Sequence, residues 1–387
     1  MIEKDDLKEL IDVAAKRKKA DLVLKNGNII DVCGGKIFKA DLAIVNGLIA
    51  GFGEYSGKKE MDVGGKYISP GLMDSHIHIE SSYTTPEEFG KMVVPHGTTT
   101  VIADPHEIVN VCGLKGFSYM QKAAKNTVLD IKYMMPSCVP ATGLEDSGCA
   151  ISADDMKDDI LSDEVLGLGE FMDFNAVIQK DDIALDKLVL ARNHKKIIDG
   201  HSPNLFGKDL NAYVCTGINT DHECSTLKEM EDRISRGIYV QLRQGSACHN
   251  LEALIPGINE FNFRRCLLCS DDRQPKTIFE DGHLEYHLRT LVKAGISPVM
   301  AIAMATVNAS DCYGLKDRGM IAPGKRADLV IFDDLYEFFV SSVFILGEEV
   351  ARDGNYLRET KRYDISEVSD TVHLDNFKKE MLQMRLK

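Results

Sequence analysis

The sequence has few features of secreted, membrane or nucleic-acid-binding proteins. No apolar run is long enough to span a bilayer, and the N-terminal residues 1–20 are charged throughout, which predicts no signal peptide. The ten cysteines follow no regular spacing, so no disulfide framework is expected. A net charge of −14 disfavours binding to nucleic acid or to an acidic membrane. These absences predict a cytoplasmic protein with reduced thiols.

What the sequence does contain is typical of a globular enzyme. Hydrophobic residues make up 44% of the chain, charged residues 27%, and the 387 residues fit one large domain or two ordinary ones. Residues 5–17 predict a short amphipathic helix. Short β segments follow, with turns predicted at Asn26-Gly27 and Asn46-Gly47. From Ser69 onward, apolar strand-like runs alternate with helix-like stretches, which predicts an α/β fold.

The predicted architecture is a (β/α)₈ barrel of the TIM type, carried by a small β unit. Residues 67–318 are assigned to the barrel. The β-rich residues 1–66 and 319–360 are predicted to form one β-sandwich-like subdomain, and residues 361–387 a tail. Residues 297–315 are predicted to form one helix, and a second helix is expected near the end of the tail. The barrel would then be an insertion between two parts of one subdomain, an arrangement that proteins tolerate.

Polar or ionisable side chains stand at the ends of nearly all predicted barrel strands. His76 and His78 end the first strand, and because residues i and i+2 lie on one face of a strand, both imidazoles project the same way. The later strand ends carry Asp104 with His106, then Glu170, His201, His222, Arg243, and the pair Asp271 and Asp272. Active sites of such barrels lie at these C-terminal strand ends, so the side chains are expected to converge.

This donor set predicts a metal centre. Imidazoles and carboxylates without thiolates suit Zn, Mn or Fe. The predicted metal ligands are His76, His78, Glu170, His201, His222 and Asp271. They can hold two divalent ions roughly 3.5–4 Å apart that share a hydroxide of lowered pKa. Asp271 and Glu170 are the predicted catalytic residues, with Asp271, preferred over Asp272, also moving protons.

Three further strand-end residues are predicted to bind substrate, each with an alternative. Asp104 and His106 either contact substrate or support a metal ligand from behind, and Asp104 is equally suited to capping a helix. Arg243 holds either substrate or a carboxylate. The chemistry open to the site is attack on an electrophilic sp² carbon, in a carbonyl or in a ring that carries an amino group.

The motifs around these residues resemble the amidohydrolase superfamily, and within it the adenine deaminases. They include PGLMDSHIHIESS at 70–82, the DPHE box at 104–107, LGLGEF at 166–171, TDHE at 220–223 and CSDDRQP at 269–275. The resemblance covers nearly the whole chain. It implies a small-molecule purine base as substrate, two metal ions with manganese preferred over iron or zinc, attack of the bridging hydroxide on C6 of adenine, and release of hypoxanthine and ammonia in purine salvage. It also implies a homo-oligomer.

Two departures from the family pattern leave the substrate open. Members of this family usually continue into a further C-terminal domain, and the chain has Gln244 where the family pattern has Glu. One alternative is the same fold acting on another aminopurine or on a cyclic amide. The other is a non-catalytic homologue, for which broken ligand positions would be expected.

Overall fold

The structure, a computed structural model, describes residues 3–383. A β-rich unit opens the chain. Its elements are α1 (Lys4–Ala14), β1 (Ala20–Asp31), β2 (Lys36–Val45), β3 (Leu48–Gly53), β4 (Gly57–Asp62) and β5 (Tyr67–Pro70). The predicted Asn46-Gly47 turn joins β2 to β3, with both residues at positive φ (49° and 74°), as a tight hairpin requires.

The other predicted turn, at Asn26-Gly27, is wrong. These two residues lie inside β1, where the register against β2 shifts between Leu24 and Gly27. Asn26 has a positive φ of 59°, so the Asn-Gly pair forms a β-bulge within one long strand instead of reversing the chain.

Eight parallel strands then form the barrel. Their bounds are β6 (Leu72–Ile77), β7 (Thr98–Ala103), β8 (Asp130–Met135), β9 (Val165–Phe171), β10 (Ile197–Gly200), β11 (Thr220–Asp221), β12 (Tyr239–Arg243) and β13 (Cys266–Cys269). Ladder pairing runs continuously from β6 to β10 and from β11 to β13. The Asn219 N–H donates to the carbonyl of Ile198 at 2.8 Å between the two sheets, and a parallel bridge from Ile77 to Asp271 closes the ring. The predicted barrel fold is confirmed.

Helices follow the barrel strands. Their bounds are α2 (Pro86–Val93), α3 (His106–Cys112), α4 (Leu114–Ala124), α5 (Ala153–Leu161), α6 (Phe174–Gln179), α7 (Asp182–Asn193), α8 (Gly207–Val214), α9 (Leu227–Ser235), α10 (Leu251–Leu254), α11 (Pro275–Asp281), α12 (Leu284–Lys293), α13 (Pro298–Met304) and α14 (Val307–Tyr313). Local sequence fixes several starts: α9 begins with a capping box of Thr226 and Glu229, and α11 carries Pro275 in its first turn. In the described residues 3–383, no helix combines the length and apolar character needed to cross a bilayer.

The chain returns to β structure after α14. The last strands are β14 (Leu329–Phe332), β15 (Val340–Ile345), β16 (Glu348–Arg352) and β17 (Asn355–Tyr356). β5 pairs in parallel with β1 and antiparallel with β14, so the first and last parts of the chain share one nine-stranded sheet. The predicted union of N- and C-terminal segments in one small β unit is therefore found. The predicted domain boundaries stay a prediction.

Two helix expectations near the C-terminus differ from the structure. The stretch expected to form one helix after residue 296 forms two, α13 and α14, because Thr306 leaves helical geometry at φ −139° and ψ −90°. A helix was also expected near the end of the chain. The described part of that segment holds only short 3₁₀ turns at Ser366–Val368 and Lys379–Leu382, and residues 384–387 lie outside the described range.

A buried ion pair joins the barrel to the segment that leads back to the small β unit. Arg318, which is 5% exposed, donates through Nη1 to Asp130 Oδ2 at 2.6 Å, at the start of β8. Lys132 and Arg326 approach the same carboxylate at 2.9 and 3.3 Å. Burial alone would raise the pKa of Asp130, but these three cations outweigh burial and lower it.

We expect Asp130→Asn to lower the free energy of unfolding by about 2–3 kcal/mol at pH 7, because the buried Arg318 guanidinium keeps only the half-exposed Asp317 as its ionic partner. A carboxylate with a lowered pKa stabilises the fold above its unfolded pKa. The difference from wild type should therefore shrink as the pH falls below about 4. Urea unfolding at several values from pH 7 down to about pH 3 measures it. Asp5→Asn, which removes an exposed pair with Lys8, is the control. An equal loss in both variants would contradict the prediction.

Candidate metal centre

The C-terminal end of β6 supplies the first two donors. His76 and His78 are buried, and their Nε2 atoms lie 3.1 Å apart. Backbone pairing fixes Asp271 beside them: its N–H donates to the carbonyl of His76, and the N–H of His78 donates to the carbonyl of Asp271. Asp271 Oδ1 then lies 3.1 Å from His78 Nε2 and 3.5 Å from His76 Nε2.

Only one of the two adjacent aspartates enters this cluster. Asp271 follows β13 with a positive φ of 56°, a conformation that Asp tolerates better than most residues. Asp272 instead accepts a hydrogen bond from the Ser81 hydroxyl. Arg273, a possible partner for the second aspartate by sequence, donates to backbone carbonyls of Gln244 and Gly282. The structure thus brings Asp271, and not Asp272, to the histidines.

Glu170 lies between two groups of histidines. Its Oε1 is 3.3 Å from His78 Nε2, while its Oε2 is 2.6 Å from His201 Nδ1 and 3.1 Å from His222 Nε2. His201 and His222 directly follow β10 and β11. The carboxylate therefore faces one histidine group with each oxygen, which is the arrangement that a bridging ligand needs.

A glycine allows Glu170 to be held from behind. Asp104 Oδ2 accepts the backbone N–H of Glu170 at 2.9 Å. A Cβ on Gly169 would lie 2.1 Å from that same oxygen, so only glycine permits the contact. Asp104 is 1% exposed and does not cap a helix by a side-chain hydrogen bond, since α3 begins after Pro105 without one.

The donors fit divalent cations. His78 Nδ1 lies 2.7 Å from the carbonyl oxygen of Asp104. Because a carbonyl can only accept, Nδ1 carries the hydrogen, and Nε2 presents its lone pair to the cluster. That lone pair faces the Nε2 of His76 and the carboxylates of Glu170 and Asp271. A shared cation would satisfy these facing acceptors. Three overlapping triads of residues have ligand atoms that lie within 4.8 Å of one another inside each triad. The triads are His76, His78 and Glu170; His76, His222 and Asp271; and Glu170, His201 and His222.

The charges in the cluster favour the same occupant. Burial and the neighbouring His222 lower the pKa of His76 to about 4, so this ligand is neutral at pH 7. Burial opposes the ionisation of Glu170, but His222 and His201 hold its pKa well below the usual range. Burial likewise opposes a charge on Asp271, but its close contacts with His76 and His78 hold the pKa of its carboxyl well below the usual range. Burial alone would lower the pKa of His222, but Glu170 raises it to about 9, so the two buried carboxylates favour positive charge beside them.

The remaining predicted residues border the cluster. His106 Nδ1 is buried without a hydrogen-bond partner and lies 3.3 Å from Glu170 Oε1 and 3.9 Å from Asp104 Oδ1. Arg243 donates to Asp271 Oδ2 at 2.7 Å, to Asn250 Oδ1 at 3.0 Å, and to both carboxylate oxygens of Glu223. Of the two alternatives for Arg243, the structure thus places its guanidinium on carboxylates. Gln244 lies to one side, with Nε2 2.8 Å from His249 Nδ1.

Three acidic residues near the centre have no predicted role. Glu80 and Glu107 each have one buried oxygen without a hydrogen-bond partner, and Glu223 pairs with Arg243. Each stands one or two residues after a histidine of the site, at His78, His106 and His222. An ionisable residue directly beyond a strand-end histidine is the signal that would have identified them.

Comparison with known proteins gives a family and close relatives. Residues 67–350 match the amidohydrolase family. "Adenine deaminase 2" of Desulfotalea psychrophila is 55% identical over 99% of this chain and 66% of its own length. "Adenine deaminase" of Ligilactobacillus salivarius is 51% identical over 100% of this chain and 67% of its own. The chain thus spans about two thirds of the length of the curated relatives it matches.

Solved structures share the fold at low identity. A β-aspartyl dipeptidase from Fervidobacterium islandicum AW-1 has a TM-score of 0.66 at 19% identity, covering 88% of this chain and 99% of its own. L-hydantoinase from Arthrobacter aurescens has a TM-score of 0.66 at 16% identity, covering 88% and 98%. The resemblance predicted from the sequence motifs is confirmed, and the chain belongs to the amidohydrolase family.

Proposed function

We propose that this protein is a metal-dependent adenine deaminase, which hydrolyses adenine to hypoxanthine and ammonia in purine salvage. The observation that carries the proposal is the convergence of His76, His78, Glu170, His201, His222 and Asp271 in a chain whose relatives are named adenine deaminases. A non-catalytic homologue would be expected to have lost some of these donors. The relatives are longer than this chain, so activity of the chain by itself is part of the proposal.

The proposed metal ligands are the six residues of the candidate metal centre. Glu170 would contribute one oxygen to each of two ions, His76, His78 and Asp271 would serve one side, and His201 and His222 the other. We propose Mn²⁺ in preference to Fe²⁺ or Zn²⁺, which also suit nitrogen and oxygen donors. When bound, two such ions lower the pKa of water and polarise the carbon that is attacked.

The proposed proton carrier is Asp271. It would take a proton from the attacking water and pass it to the amino group on C6, so that the C6–O bond forms, the C6–N bond breaks, and ammonia leaves. Arg243 holds Asp271 Oδ2, which leaves Oδ1 directed at the histidines. Asp104 would fix Glu170 through its backbone, and His106 would contact the base, since its ring borders the cluster and is 20% exposed.

The test is release of ammonia from adenine by protein reconstituted with Mn²⁺, followed in parallel by the ultraviolet change to hypoxanthine. We expect turnover, with two metal ions per chain by elemental analysis. Two bound ions without turnover would reject adenine and direct the search to other amino-heterocycles and cyclic amides. No metal and no turnover would favour a non-catalytic protein.

Light scattering would test the proposed homo-oligomer, and cell fractionation would test the proposed cytoplasmic location.

A further inference from the structure

Glu107, in the first turn of α3, has a carboxylate oxygen beside the metal centre without a hydrogen-bond partner. Its Oε2 is buried and accepts no hydrogen bond. Oε2 lies 3.7 Å from His78 Nδ1, and Oε1 lies 3.7 Å from His106 Nε2, both beyond hydrogen-bond distance. The side chain is 39% exposed, so it lies at the boundary between the ligands and solvent. An unpaired carboxylate oxygen at this position calls for a donor.

A third metal ion is not expected to be the partner of the unpaired Glu107 oxygen. His78, His106 and Glu107 lie close enough together to suggest a cation site. However, His78 Nδ1 gives its hydrogen to the carbonyl of Asp104 and so has no lone pair to offer on this side. Only one imidazole and one carboxylate would remain as ligands.

The position of Glu107 is fixed by a second acid. Glu80 follows His78 in the turn after β6, and its Oε1 accepts the backbone N–H of Ile108 at 3.2 Å. This contact holds the first turn of α3 against the turn after β6. Glu107 therefore lies in a helical first turn that a hydrogen bond holds in place, and not in a free loop. Residues that recognise a ligand are expected to be fixed in this way.

The hydrogen-bonding groups of adenine decide which atom Glu107 can meet. A carboxylate can only accept. Adenine offers two kinds of donor, the amino group on C6 and the single N–H of the five-membered ring, and its other ring nitrogens accept. The amino group is the leaving group and must lie at the metal ligands. A carboxylate that meets the base elsewhere can pair only with the ring N–H.

We propose that Glu107 accepts the five-membered-ring N–H of the purine and so selects the free base over N9-substituted purines such as nucleosides. This inference rests on the proposed adenine deaminase function and assigns its substrate selectivity. A purine that carries a sugar or a methyl group at N9 has no ring N–H, and it would leave the Glu107 carboxylate unpaired and desolvated. Sites built to pair with a substrate group reject analogues that lack it.

The test compares adenine with 9-methyladenine in the Mn²⁺-loaded wild type, Glu107→Ala and Glu107→Gln. For Glu107→Ala we expect kcat/KM for adenine to fall about 10- to 100-fold, mainly through KM, as for loss of a hydrogen bond to a charged group. 9-Methyladenine should stay a poor substrate throughout, so the preference for adenine should fall by the same factor. Glu107→Gln keeps a neutral acceptor and should lie between wild type and Glu107→Ala.

Glu280→Ala is the matched control, because Glu280 is a carboxylate in α11, which follows β13 at the same end of the barrel, and its side chain is 64% exposed. It should change neither KM nor the preference. An unchanged preference in Glu107→Ala, with active wild type, would overturn the inference alone. A fall in kcat with loss of metal would also overturn it, since Glu107 would then support the metal centre. If the wild-type protein binds metal but does not turn over adenine, the proposed function is wrong, and this inference is wrong with it.

Discussion

Asp271→Asn is expected to reduce adenine turnover by about 10³-fold or more while leaving the fold intact. Proton transfer by a positioned side chain contributes about 10²–10⁴ to enzymatic rates, and the same change also weakens one metal contact. The amide keeps the size of the carboxylate but cannot take up a proton near neutral pH. The measurement is kcat for ammonia release under saturating Mn²⁺, together with a circular dichroism spectrum.

Asp272→Asn is the matched control, because the neighbouring carboxylate faces Ser81 and not the histidines. It should retain turnover close to wild type. A larger loss in Asp272→Asn than in Asp271→Asn would move the proton carrier to Asp272. If kcat falls by less than tenfold in both variants, neither carboxylate moves the proton.

Glu170→Gln is expected to lower metal occupancy below two ions per chain and to reduce turnover by at least about 10³-fold. Each oxygen of Glu170 faces a different group of histidines, and a neutral amide would place an NH₂ group against one of them. The NH₂ group cannot bind a cation, so one side of the centre loses a ligand. Elemental analysis of dialysed protein measures the occupancy independently of activity.

The control for this change lies at the other end of the same strand. Glu164 directly precedes β9, pairs with Lys125 at 3.5 Å and is 58% exposed. Glu164→Gln should keep both metal ions and full turnover. Unchanged occupancy in Glu170→Gln would contradict a bridging role, whatever happens to the rate.

The sequence predicted which donor side chains would converge, because parallel barrel strands all end at one rim. His76 and His78 follow from the two-residue period of a strand, and His222 follows even though β11 is only two residues long. The choice between Asp271 and Asp272 depends on backbone pairing to His76, which strand periodicity does not encode. The role of Asp104 behind Glu170 depends on a contact across neighbouring strands at Gly169, visible only once β7 and β9 are placed.

Local patterns failed where distant partners decide the conformation. Asn26-Gly27 has the composition of a turn, but long pairing of β1 with β2 on both sides keeps the strand continuous through a bulge. The apolar stretch after residue 296 has helical periodicity throughout, yet it breaks at Thr306. No role was predicted for Glu107, because the direction of a side chain in the first turn of a helix depends on how that helix packs against the barrel.

The shared sheet of the small β unit has a consequence for synthesis on the ribosome. β5 ends at Pro70, and its antiparallel neighbour β14 begins at Leu329, so about 260 residues must be translated between them. At about 5–20 residues per second, β5 waits tens of seconds with that edge open. An unpaired strand edge is a template for aggregation, so the nascent chain passes through a vulnerable interval that ends only when β14 emerges. The sheet can therefore be completed only after the whole barrel has been translated.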